Sequence, residues 1–197
     1  MRLKKFLIFT FVIINFFGIN QSYSIEPDVF VQSTVNRASE ALNDKYSKKE
    51  KINKLKQIAS ETVDIDGIGR YTLGAYKNKI TDSQIIEYND LFQQYFLKSF
   101  ASRLAEYSNP EIEVISKKKL SEKYTMVSSI LVSTENRPEV KIDWRVYTKN
   151  PNNPKIRDLI IEGLSLARTQ KEEFSSIIQS NDGDINALFS TLKEFIK

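Results

Sequence analysis

The chain has 197 residues, with 29 Lys or Arg, 25 Asp or Glu, and neither cysteine nor histidine. Without cysteine there is no disulfide, thiolate metal site, thiol nucleophile or lipidated N-terminal cysteine; without histidine the commonest general base and the commonest metal ligand are both missing. Hydrolytic triads and most zinc or iron sites are thereby poor hypotheses, and no catalytic residue, metal or cofactor is expected.

Arg2, Lys4 and Lys5 precede an uncharged apolar run from Phe6 to Ile19, and Ser22 and Ser24 supply small residues beyond it. This order is that of a secretory signal peptide, and the run is shorter than the roughly 20 residues of a membrane-spanning helix. Cleavage is expected after Ser24, with an uncleaved N-terminal anchor as the alternative; either way residues 25–197 form a single domain outside the cytoplasm. Those first 24 residues hold three of the basic side chains and none of the acidic ones, so the remainder balances at 26 against 25. The formal net charge of +4 is therefore no nucleic-acid footprint, which needs a clustered basic surface on the folded domain. The short run Lys117 to Lys119 reads as a solvated strand end, with a patch for anionic lipid or a partner as the alternative.

A helix is predicted from Pro27 to Leu42, with Val31, Val35, Ala38 and Leu42 at helical spacing. A second begins at Ser47, capped with Glu50 three residues on, and carries Ile52, Leu55, Ile58, Ala59 and Thr62 on one stripe before it stops ahead of Asp64. Asp64 to Tyr76 reads DIDGIGRYTLGAY and fits neither period; short helical turns packed closely on a neighbour are expected, since no phosphate-loop pattern is present. The longest helix opens with Thr81 and its partner Gln84 and runs to about Tyr107, ahead of Asn109 and Pro110, with a ring-rich stripe through Phe92, Phe96 and Phe100.

From Glu111 the period changes to two. Ile112 and Val114 alternate in a first strand, Tyr124, Met126, Ser128, Ile130 and Val132 in a second, and Val140, Ile142, Trp144 and Val146 in a third. A fourth runs from Lys155 to Glu162, and two helices close the chain, Ala167 to Gln179 and Asp184 to Ile196. The short connections imply an antiparallel meander. The expected fold class is α+β: a curved antiparallel sheet of about four strands, backed on one face by several helices into a cone-like shape with an apolar cavity. Such a cone either fills with its own side chains or admits a ligand. Asp143 should face solvent, and Asp158 and Glu162 share a face opposite Leu159 and Ile161; surface charge or pairing with Arg145 or Arg157 is their ordinary role, and a general base in a cone-shaped enzyme is the alternative.

Three stretches resemble the MlaC family of toluene-tolerance and ABC-transporter auxiliary proteins. The first is IGRYTLGAY, with Ile68, Arg70, Tyr71, Leu73, Gly74 and Tyr76. The second is Thr81 and Gln84 with Phe92, Phe100 and Tyr107 downstream. The third is Asp158, Glu162, Gly163, Leu164, Ser165, Leu166 and Phe174. Departures fall at Pro154, at Arg157, and at Thr169, Gln170 and Lys171.

The resemblance implies a carrier in the periplasm of a Gram-negative bacterium, holding phospholipid acyl chains in a hydrophobic pocket. It would move lipid between an outer-membrane lipoprotein complex and an inner-membrane ABC transporter, maintaining outer-membrane lipid asymmetry, with transient contact to those complexes only and no nucleic acid. The walls expected for the pocket are Leu73, Phe92, Phe96, Phe100, Val114, Met126, Ile130, Ile142, Trp144 and Val146. A hopanoid-associated carrier of the same family is the alternative ligand reading.

Overall fold

The computed structural model describes residues 24–135 and 137–197, so the expected signal segment lies, Ser24 apart, outside the described residues. In chain order the elements are α1 (Pro27–Ala41), α2 (Lys48–Thr62), α3 (Ile65–Thr72), a 3-10 turn (Gly74–Asn78) and α4 (Asp82–Leu104). Then come β1 (Ile112–Ser121), β2 (Tyr124–Leu131), β3 (Val140–Tyr147), β4 (Lys155–Ile161) and β5 (Leu164–Ser165), followed by α5 (Leu166–Gln179) and α6 (Ile185–Ile196). This is the expected α+β order.

Local chemistry sets the helix starts. The Glu50 carboxylate accepts the Ser47 backbone N–H at 2.9 Å while the Ser47 hydroxyl accepts that of Glu50, and Thr81 and Gln84 repeat the arrangement. Asp64 opens α3 by accepting the Gly67 N–H at 3.0 Å. Past the end of α3 the chain turns at Gly74, whose φ of +56° suits a residue without Cβ.

The sheet has five strands in the order β1-β2-β3-β4-β5, all antiparallel. The strand beyond the expected four is β5. Glu162 and Gly163, at φ 50° and 82°, make a two-residue turn with both φ positive, and Leu164 and Ser165 then pair back on Ile161 and Ile160. Irregularities interrupt the ladders between Val114 and Ser116 in β1 and opposite Arg145 and Val146, where Arg157 is the extra residue of β4. Such bulges bend the strand and increase its twist.

The helices gather on one face. α1 lies along β1 and β2, α5 over β4, and α3 beside it. Val127, Leu131, Ile142, Trp144, Val146 and Ile156 point toward these helices and share one core with Val31, Val35, Phe92, Phe174 and Leu188. The principal backbone neighbours of α4 are other helices, α2, α3 and α6.

One face assignment is corrected. Met126, Ser128 and Ile130 are expected to point inward from β2, but the buried residues are Thr125, Val127, Ser129 and Leu131. These pair with Val146, Trp144, Ile142 and Val140, whereas Met126, Ser128 and Ile130 pair with Arg145, Asp143 and Lys141 on the face turned from the helices. Both alternating sets of β2 carry apolar residues, so periodicity does not choose between them. The choice falls to pairing with Trp144, whose indole N–H is satisfied by Ser129 at 2.8 Å.

Candidate functional site

Long-range packing brings most of the expected pocket wall into one place. Leu73, Phe92, Ile142, Trp144 and Val146 are buried in the main core, and Phe96, Phe100 and Val114 are half-buried against it. Met126 and Ile130 stand on the other side of the sheet and are removed from the set.

On α4 the rings follow one another up the helix. Phe92 and Phe96 have centroids 6.1 Å apart, and Phe96 and Phe100 stack at 5.6 Å with planes 9° from parallel. Burial falls along this ladder, from 2% exposure at Phe92 to the half-buried Phe96 and Phe100. On the sheet side Ile112, Val114, Val140 and Leu159 are likewise half-buried while packed on the core. Large apolar side chains of α4 and of the strands, packed on the same core, thus keep open area. That is unfavourable for a finished core, because each buried methylene contributes about 0.8 kcal/mol.

Two surface depressions lie elsewhere. One, of about 490 Å³, is polar and lined by Tyr71, Arg168, Lys171, Glu172 and α5 serines; the other, of about 620 Å³, is framed by Tyr95, Phe174, Ile177, Leu192 and Phe195. Neither takes a wall from the residues expected to line the pocket. The second adjoins the ring ladder of α4 through Tyr95 and Phe174, whose rings lie 6.4 and 6.2 Å from that of Phe92.

The carboxylates weighed as general bases have structural employment. Asp158 is 4% exposed and accepts the Ser165 hydroxyl at 2.7 Å and the Ala167 N–H at 3.0 Å, with Arg145 at 3.7 Å. It therefore satisfies the N-terminal end of α5, next to Ser165, whose hydroxyl accepts the Arg168 N–H at 3.1 Å. Glu162 is exposed, forms the β4–β5 turn with Gly163, and accepts the backbone N–H of Lys141 in the neighbouring strand β3. The stretch from Asp158 to Ser165 thus builds the strand–turn–strand–helix corner.

In the first stretch, Leu73 is 2% exposed while Arg70 and Tyr71 are exposed, with the Lys171 ammonium 5.2 Å from the Tyr71 ring. Tyr88 beneath α3 donates to or accepts from Thr72 at 2.8 Å, and its burial pushes the phenol well above the usual tyrosine range. Arg157, at the bulge, donates to Asp64 at 2.6 Å and to the Tyr124 hydroxyl at 2.7 Å and stacks 3.7 Å over Tyr147, tying the sheet to the start of α3. Lys117 is held by Glu26 and Asp28 at 2.6 and 2.8 Å, and those bonds raise its pKa. Ser129 was not expected, and within the stretch expected to pack closely Gly69 was not singled out. The serine could have been found only from its partner Trp144, and Gly69 only from its approach to Phe92, where a Cβ would meet the ring at 2.8 Å.

Among the described residues no helix is long and apolar enough to cross a membrane. The fold is similar to that of a phospholipid-binding protein from Ralstonia solanacearum, solved in complex with a phospholipid: TM-score 0.72 and 22% identity, over 87% of this chain and 97% of that one. The chain is also 24% identical to the toluene tolerance protein ttg2D of Pseudomonas putida over 133 residues, 67% of this chain and 61% of that relative, so the match spans less than two thirds of the relative's length. The family described as MlaC protein matches residues 32–194, nearly all of the described chain, and the three stretches singled out in the sequence fall within it. The chain belongs to the MlaC family.

Proposed function

We propose that this protein is a phospholipid carrier of the periplasm, taking acyl chains into the seam between the rings of α4 and the inner face of the sheet. In that role it passes lipid between an outer-membrane lipoprotein complex and an inner-membrane ABC transporter, and it performs no covalent chemistry. The observation that carries the reading is that large apolar side chains packed on one core stay half-buried in both layers, Phe96 and Phe100 on α4 and Ile112, Val114, Val140 and Leu159 on the strands. Family membership and the phospholipid held by the similar fold from Ralstonia solanacearum support it.

Physics states why such a protein is useful. At ~0.8 kcal/mol per methylene, two chains of ~16 carbons resist leaving a bilayer by ~25 kcal/mol. An apolar lining that replaces the bilayer removes most of that barrier and requires no acid or base.

Two tryptophan substitutions test the site. Leu159→Trp places a large ring in the seam, and Ile130→Trp places the same ring on the opposite face of the sheet. Lipid co-purified with Leu159→Trp is expected to fall severalfold with little change in melting temperature, while Ile130→Trp keeps wild-type occupancy. If Leu159→Trp instead loses the ~1–3 kcal/mol typical of overpacking and carries as much lipid as the wild type, the seam is ordinary core.

A further inference from the structure

Beyond the C-terminal end of α4 an aromatic ring stands against a cation. Past the end of the helix Tyr107 is 39% exposed, and the guanidinium carbon of Arg137, from the β2–β3 hairpin, lies 5.6 Å from the centre of its ring. The hairpin is pinned by two backbone hydrogen bonds between Thr134 and Arg137, at 2.8 and 3.2 Å. Arg137 is thereby held at the end of the sheet where Leu131 and Val140 pair, both of which pack on the main core. Contact with Tyr107, which follows α4, puts the guanidinium where the helix layer meets the sheet.

Its hydrogen bonding is incomplete. One Nη donates to the Val132 carbonyl at 3.3 Å, but the buried Nε–H has no partner among the described residues. Arg37, Arg145, Arg157 and Arg168 each have a carboxylate within ion-pair distance; among the described residues Arg70, Arg103 and Arg137 have none, and of these three only Arg137 is half-buried. A guanidinium with a buried, unsatisfied N–H is costly unless an anion completes it.

We infer that Arg137 is the anchor for the phosphate of the bound lipid. The inference rests on the carrier reading and adds to it a recognition element: acyl chains lie along Phe96 and Phe100, and the phosphodiester reaches the guanidinium over Tyr107. Arginine suits the task because its planar fork offers several N–H groups to two phosphate oxygens at once, where a lysine offers a point charge. The Tyr107 ring supports the face of the fork.

The test separates headgroup from tails. Purified protein is exchanged in detergent micelles containing either dioleoylphosphatidylglycerol or dioleoylglycerol, which share chains and differ in the phosphate, and bound lipid is quantified by mass spectrometry. The wild type is expected to take both. Arg137→Gln should take about tenfold less phosphatidylglycerol and an unchanged amount of dioleoylglycerol, with Arg137→Lys recovering part of the loss. Arg137→Gln loading both lipids like the wild type, or losing both equally, overturns the inference, the second outcome marking Arg137 as a brace of the hairpin. Wild-type protein binding inorganic phosphate without lipid, with Arg137→Gln losing only that binding, assigns the residue to a free anion and overturns it as well. Wild-type protein that takes neither lipid sinks the carrier reading itself.

Discussion

A serine on the inner face of a sheet is tolerated when its hydroxyl is fully used. Ser129 is buried to 0% exposure; its oxygen accepts the Trp144 indole N–H at 2.8 Å and it donates to the Ile142 carbonyl at 3.2 Å. Removing that hydroxyl strands a buried indole donor. Ser129→Ala is therefore expected to lower unfolding stability in urea by ~1–3 kcal/mol, and Ser129→Ala combined with Trp144→Phe to cost less than the sum of the two changes. Strict additivity of the pair would show that the bond is not what places β2. This residue also explains what the sequence hid. In YTMVSSIL both alternating sets carry two or more apolar side chains, so the series through Met126 and Ile130 looked as suitable for burial as that through Val127 and Leu131. The decision belongs to a partner fifteen residues away in β3.

Between elements, the short α3 carries a close approach. Gly69 faces Phe92 of α4 so tightly that an added Cβ would lie 2.8 Å from the ring. Gly69→Ala is expected to destabilise the fold by ~1–3 kcal/mol through overpacking, and the smaller side chain of Phe92→Leu in the same chain to recover part of that loss in thermal melts. Equal stability of Gly69→Ala and the wild type would mean that α3 and α4 have slack between them. Helix starts were legible because they are local: Ser47 with Glu50 and Thr81 with Gln84 announce themselves within four residues. The corner at Glu162 and Gly163 was legible as a strand end. The two-residue β5 was not, because so short a strand has no period of its own and exists only by pairing with Ile160 and Ile161.

At the scale of the whole molecule, the α+β order and the meander followed from a change of period at Glu111, and the ring-bearing stripe of α4 was read in its place. What the sequence could not supply was the relation of that stripe to the sheet: α4 takes its main backbone neighbours from other helices, while Phe96 and Phe100, like Ile112, Val114, Val140 and Leu159 of the strands, pack on the main core and stay half-buried. That arrangement is the centre of the functional account, because it is where hydrocarbon tails would complete an unfinished core. The direct measurement is extraction of freshly purified protein from a bacterial host, followed by mass spectrometry of the extract. Phospholipid bound in stoichiometric amount is the result expected; protein that is folded, monodisperse and free of lipid would contradict the account.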